Sequence, residues 1–245
     1  MNEVAIELEN VSVRYREYSS ASRSLKADLL RRTKRNIAKS KLALDGLHLQ
    51  VAKGEVLGII GRNGAGKSTL VRLLMGILHP TTGRVITRGS TVGILQLGAG
   101  LNLDLTAREN IKFISMLRGL GSINHGQLAE EIADWSGLGE AIDQPLRTYS
   151  SGMMARFSFA LETSHKPHIL IIDEVLAVGD HEFQEKSGSK MKKLIESETT
   201  VVLVSHDLDI VQEYCTQAIW IDEGKIRSKG HPSNICREYL TSSSK

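Results

Sequence analysis

The chain has 245 residues, of which 41% are apolar and 24% charged. This is enough to bury the core of one large or two small domains, and the composition is not that of a disordered chain. The net charge of +3 does not by itself argue for nucleic acid, and no apolar run approaches the roughly 20 residues that a membrane-spanning helix needs.

Met1-Asn2-Glu3-Val4 lacks a basic region followed by an apolar stretch, so no signal peptide is expected. Ile6, Leu8, Val11 and Val13 predict an early strand. Residues 14–41 then hold ten basic residues against two acids, Glu17 and Asp28, a net +8 that leaves −5 on the remainder. Within this stretch, Leu25, Leu29 and Leu30 could form one helical face. Leu42–Val51 reads as strand, Lys53-Gly54 as a turn, and Val56–Ile60 as a buried strand. A glycine-rich loop follows, then a helical pattern through Leu70, Val71, Leu73, Leu74, Ile77 and Leu78, closed by Pro80-Thr81-Thr82-Gly83.

Val92–Leu95 reads as strand, and residues 105–165 as mostly helical. Ile169–Ile172 and Val201–Val204 are short apolar runs followed at once by polar residues. This fits central strands of a parallel sheet with functional groups at their C-terminal ends. Ile219-Trp220-Ile221 and Lys225-Ile226 flank Asp222-Glu223-Gly224, a hairpin signal. Cys215 and Cys236 match no zinc spacing and suit a reducing cytosol. Trp135, Trp220 and the methionines read as packing. There is no internal repeat, and the order of elements predicts an α/β fold with a helical insertion.

Gly61-Arg62-Asn63-Gly64-Ala65-Gly66-Lys67-Ser68 matches G-x-x-x-x-G-K-[ST] between a predicted strand and a predicted helix. Its glycines let successive N–H groups turn inward on phosphate oxygens, and the helix start adds its positive dipole end. Lys67 is expected to reach the β- and γ-phosphates and Ser68 to ligate Mg²⁺. Ile169–Ile172 ends in Asp173-Glu174, which alone would be a strand end with solvated acids. Beside a phosphate loop, Asp173 is assigned to the metal and Glu174 to the attacking water. His206, after the strand Val201–Val204, is placed at the γ-phosphate.

Tyr149-Ser150-Ser151-Gly152-Met153 opens a helical stretch before the acidic strand. With it the chain resembles an ABC transporter nucleotide-binding subunit over nearly its whole length. The family signature is usually L-S-G-G-Q; Ser150 and Gly152 match it, while Tyr149, Ser151 and Met153 depart from it. The resemblance implies the P-loop NTPase fold of an ABC ATPase, with a helical subdomain and a small antiparallel β-subdomain. Residues 1–230 would form the ATPase domain, with a basic insertion at 16–41 and a helical signature subdomain at about 97–165. Residues 231–245 would form a C-terminal helix and tail.

It also implies a Q-loop glutamine at Gln96, touching Mg²⁺ and catalysis, a D-loop aspartate at Asp180, and a switch histidine at His206. The ATP-contacting set becomes Tyr15, Gly61, Asn63, Gly64, Ala65, Gly66, Lys67, Ser68, Thr69, Ser150, Ser151, Gly152 and Asp180. Tyr15 stands where an aromatic side chain stacks on adenine, with Tyr18 as its rival.

Leu97-Gly98-Ala99-Gly100, Thr106-Ala107-Arg108-Glu109-Asn110 and Asp173–Asp180, with the signature variant, look like the polysaccharide exporter branch (O-antigen, capsule or teichoic acid; Wzt-type). That implies a homodimer with two ATP sites, two copies of a separate permease, and a lipid-linked polysaccharide substrate. The place implied is the cytoplasmic face of the inner membrane, as a peripheral subunit. About fifteen residues follow Gly230, too few for the carbohydrate-binding domain some members carry, so glycan selection by this chain is not expected. The basic stretch is either a solvated helix face or a contact to the anionic leaflet or a pyrophosphate-linked lipid. It lacks interleaved aromatic residues apart from Tyr15 and Tyr18, and no nucleic-acid partner is expected. The rivals are an ABC subunit for another substrate and a soluble ABC ATPase on nucleic acid.

Overall fold

A computed structural model describes residues 3–16, 40–94, 98, 100–173 and 181–243. The strands are β1 Val4–Arg16, β2 Ser40–Ala52, β3 Val56–Ile60, β4 Thr82–Thr87, β5 Thr91–Ile94, β6 Ile169–Asp173, β7 Thr200–Val204, β8 Gln217–Asp222 and β9 Lys225–Gly230. The described α-helices are α1 Lys67–Leu74, α2 Ala107–Leu117, α3 His125–Ser136, α4 Ser151–Glu162, α5 His181–Ile195, α6 Leu208–Tyr214 and α7 Pro232–Ser243. The basic stretch 17–39, Gln96, Glu174 and Asp180 lie outside the described residues.

The main sheet runs β5-β6-β7-β3-β8-β9, parallel except for β9, which returns from β8 as the expected hairpin. All five residues of β3 and of β7 are buried. That is what continuous apolar runs produce when both faces of a parallel sheet are covered. Leu57, Ile59, Ile171 and Val202 point to one face, against α1 and the second sheet. Val56, Ile60, Leu170 and Leu203 point to the other, against α5, α6 and α7. Each such buried side chain contributes roughly 1.5–3 kcal/mol of apolar burial. The second sheet is antiparallel, β2-β1-β4, and buries the predicted Ile6, Leu8, Val11 and Val13.

α1 ends earlier than its apolar spacing predicts. Gly76 adopts φ 69°, and its N–H donates to the Leu73 carbonyl while that of Ile77 donates to Arg72, both at 3.0 Å. A glycine in this left-handed conformation closes a helix at little cost, so the helix stops before Pro80 is reached. Ile77 is consequently 64% exposed. Thr82 and Gly83, expected as a closing turn, instead open β4, which pairs with β1 at Leu8↔Val85.

The helical unit has its own core. Ala107, Ile111 and Ile114 of α2 meet Leu128, Ala129, Ile132 and Ala133 of α3 and Phe157, Ala160 and Leu161 of α4. The Thr106–Asn110 motif has a plain physical reading. Thr106 caps α2 and forms a reciprocal capping box with Glu109. Asn110 is fully buried. Its Nδ2 donates to the carbonyls of Asn102 and Thr106, each at 2.9 Å, and its Oδ1 accepts from the Asn102 N–H at 2.8 Å. It thereby pins the loop before α2. Asn110→Ala would leave those buried groups unpaired and should lower stability by about 2–3 kcal/mol, read by urea unfolding. A change below about 0.5 kcal/mol would contradict this account.

Candidate nucleotide-binding site

β6, β7 and β3 lie side by side and parallel, so their C-terminal ends reach one edge of the sheet. That edge is where open α/β sheets bind ligands. Asp173 closes β6, Ser205-His206 follows β7, and the glycine-rich loop follows β3. They meet at a cleft of about 600 Å³ lined by the predicted Tyr15, Asn63, Gly64, Gly66, Lys67, Ser68, Thr69, Asp173 and His206. The size is that of an ordinary small-molecule site.

The loop is shaped by close backbone approaches. Gly66 has φ 113°, and a Cβ there would stand 2.8 Å from the Ala43 carbonyl oxygen. At Gly61 (φ 151°) a Cβ would stand 2.2 Å from the carbonyl oxygen of Ile221. Only glycine fits either place. The β8–β9 turn supports the loop from behind: the Gly224 N–H donates to the Ala65 carbonyl at 2.9 Å. Gly61 and Ala65, both expected at the ATP, are not among the lining residues; they form the rear wall of the loop.

Lys67 is 7% exposed, and its Nζ donates to the carbonyls of Gly61 at 2.6 Å and Arg62 at 3.1 Å. The ammonium is thus held at the loop's centre by groups that phosphate oxygens can replace. The Tyr15 hydroxyl stands 3.4 Å from Thr69 Oγ1, which keeps the ring at the cleft wall. His206 sits in a short turn, where the Asp207 N–H donates to Ser205 Oγ at 3.0 Å and the Asp207 carboxylate caps α6. Ser68 and Asp173 bring a hydroxyl and a carboxylate to the same cleft. These are hard oxygen donors of the kind Mg²⁺ takes alongside phosphate oxygens, so the donor set fits that ion.

Lys41, Leu42, Ala43, Glu223 and Gly224 also line the cleft and escaped the sequence reading. Lys41 arrives by pairing opposite Tyr15 across β1 and β2. The signature residues stand elsewhere: Ser150, Ser151 and Gly152 are not part of this cleft. Ser150 caps α4 and its side chain accepts from the Met153 N–H at 3.2 Å. Tyr149, where the signature departs from leucine, is tied down by its hydroxyl, which donates to the Ala141 carbonyl at 2.6 Å. Burial, with Asp143 nearby, pushes that hydroxyl up to about 12, so it remains a donor.

A parallel sheet with a phosphate loop, an acid and a histidine at adjacent strand ends defines a P-loop nucleotide-binding cassette. The family model described as "ABC transporter" matches residues 44–177, and the chain belongs to that family as an ATP-binding subunit. It is 44% identical over 232 residues to the O-antigen export system ATP-binding protein RfbB of Myxococcus xanthus, covering 93% of this chain but only 53% of that protein. It is 40% identical to an RfbB of Klebsiella pneumoniae over 97% of this chain and 98% of the relative. It is also 36% identical to the teichoic acids export ATP-binding protein TagH of Staphylococcus haemolyticus, over 96% and 88% of the two chains. Among solved structures, a dimeric post-hydrolysis state of the ATP-binding cassette MJ0796 bound to ADP and Pi superposes with a TM-score of 0.72. It is 22% identical and covers 93% of this chain and 98% of its own, which shows a shared fold.

Proposed function

We propose that this chain is the ATP-hydrolysing subunit of an exporter for a lipid-linked polysaccharide, with O-antigen as the first candidate glycan. The observation that carries the ATPase reading is the convergence of Lys67, Ser68, Asp173 and His206 on one cleft at parallel strand ends. The glycan follows from the export roles named for the RfbB and TagH relatives; teichoic acid is the second candidate.

In this reading the glycine-rich loop binds the phosphates and Lys67 exchanges its two carbonyl partners for β- and γ-phosphate oxygens. Tyr15 stacks on adenine. Ser68, Asp173 and Gln96 would hold Mg²⁺, which when bound would neutralise charge developing on the phosphates. Glu174 takes a proton from the attacking water, and His206 contacts the γ-phosphate. Two copies meet head to tail, and Ser150, Ser151, Gly152 and Asp180 of one complete the site of the other. ATP then favours the closed dimer, and loss of the γ-phosphate contacts on hydrolysis lets it open.

The helical unit supplies a face for the permease. Phe113, Met116 and Leu117, spaced i, i+3 and i+4 along α2, are 44%, 52% and 69% exposed. Met116 therefore does not serve as the packing residue expected of it. Large apolar side chains exposed together mark a protein contact. The basic stretch 16–41 is assigned to the anionic membrane surface, and the subunit to the cytoplasmic face of the inner membrane.

Replacing Phe113 and Met116 together by serine should abolish co-purification of a co-expressed permease and stop glycan export. ATP hydrolysis by the isolated chain should stay within about twofold. Retention of the permease by that variant would count against this face. Capture of RNA or DNA resistant to high salt, with no membrane protein retained, would favour a nucleic-acid ATPase instead.

A further inference from the structure

The two positions proposed for the partner's nucleotide, the signature and Asp180, each precede a helix in the sequence, and those helices meet. α4 begins at the Ser150 cap. α5 begins at His181, the residue after Asp180. Phe159 lies two turns into α4 and Phe183 lies in the first turn of α5. Their ring centroids are 5.9 Å apart at 83°. Trp135 of α3 closes the triangle, stacked on Phe159 at 5.5 Å and edge-on to Phe183 at 5.6 Å. These are the offset and edge-to-face geometries that aromatic rings prefer.

The triangle is a boundary between two cores. Phe159 and Phe183 belong to the cluster on the α5 side of the main sheet, whereas Trp135 packs against that cluster and against the helical unit's own. Cations hold its outer faces. Lys190 Nζ lies 4.2 Å and Lys186 Nζ 5.2 Å from the Trp135 ring centroid, and the Arg156 guanidinium lies 5.9 Å from that of Phe183. Burial, then the neighbouring Lys186, lowers the Lys190 ammonium to about 8. Packing alone does not require basic residues of α4 and α5 to bracket these rings.

We propose that Trp135, Phe159 and Phe183 are positioning residues. Together they form a joint that fixes the helix led by Ser150 relative to the helix that follows Asp180, so that both elements reach the partner's nucleotide in register. The joint rests on the head-to-tail dimer proposed above. None of its residues lines the nucleotide cleft, so loosening it should impair assembly without changing how one cassette binds ATP.

The test compares Trp135→Leu, which keeps apolar bulk but removes the ring, with Trp135→Phe, which keeps a ring, both in a Glu174→Gln background. Sedimentation with ATP should show Trp135→Leu weakening the dimer about tenfold, and Trp135→Phe staying within about threefold of the parent. ATP affinity measured on dilute monomer should be unchanged in both. A folded Trp135→Leu protein that dimerises like its parent overturns the joint. If Trp135→Leu does not fold, Phe183→Leu removes the ring on the α5 side of the triangle instead, and unchanged dimerisation of that folded variant overturns the joint equally. A Glu174→Gln parent that never dimerises with ATP overturns the dimer itself and the joint with it.

Discussion

Glu174→Gln should reduce steady-state phosphate release by about 100-fold or more, the usual contribution of a general base, while ATP binding persists. Glutamine keeps the size and the hydrogen-bonding oxygen of the carboxylate but cannot take a proton from water. The assignment rests on position. β6 is buried from Ile169 to Ile172 and delivers Asp173, half-buried, to the cleft. With Asp173 proposed to hold the metal, the next residue in sequence is the first acid left to serve the water. Because the γ-phosphate contacts survive, the variant should accumulate as an ATP-dependent dimer on gel filtration, and added nucleotide should no longer be consumed. Phosphate release within about threefold of the unmodified chain would remove Glu174 from the role of base.

Much of this site was legible because its chemistry is local or lies at strand ends. A phosphate loop needs its glycines, lysine and serine in one contiguous stretch, and Gly61–Ser68 announces itself. Asp173 and His206 could be found because the four-residue apolar runs Ile169–Ile172 and Val201–Val204 become central parallel strands, whose polar successors fall at one edge. The Ser150 cap is likewise local, and so is the capping box at Thr106–Glu109, although that motif entered only as a family resemblance. What stayed hidden depends on pairing between distant segments. Lys41 reaches the cleft only through its register with Tyr15, across an insertion from which no register could be derived. Glu223 and Gly224 were recognised as a turn, but not as a turn that returns to the back of the phosphate loop. The early end of α1 at Gly76 was missed because the apolar period ran on to Leu78 while the backbone had already changed hand. Trp135 and Met116 show the limit of composition. One joins two cores and the other faces outward, though both looked like ordinary packing.

Lys67→Ala should weaken ATP binding by roughly 10- to 150-fold, since a hydrogen bond to a charged group contributes about 1.5–3 kcal/mol and 1.4 kcal/mol is a factor of ten. The structure explains why the loss is not larger. The ammonium donates to the carbonyls of Gly61 and Arg62, so phosphate oxygens would replace existing partners and not create bonds from nothing. Removing the side chain leaves those carbonyls facing a small void. A modest fall in melting temperature should therefore accompany the loss of affinity, and circular dichroism would separate the two effects. ATP should suffer more than ADP, because in the proposed arrangement the lysine reaches both the β- and γ-phosphates and only one of those remains in ADP. A fluorescence titration would test the order directly. If the folded variant bound ATP within about threefold of the unmodified chain, the phosphate-loop assignment would fall. The proposed roles of Ser68, Asp173 and Glu174 would fall with it, because each is defined by where Lys67 places the γ-phosphate.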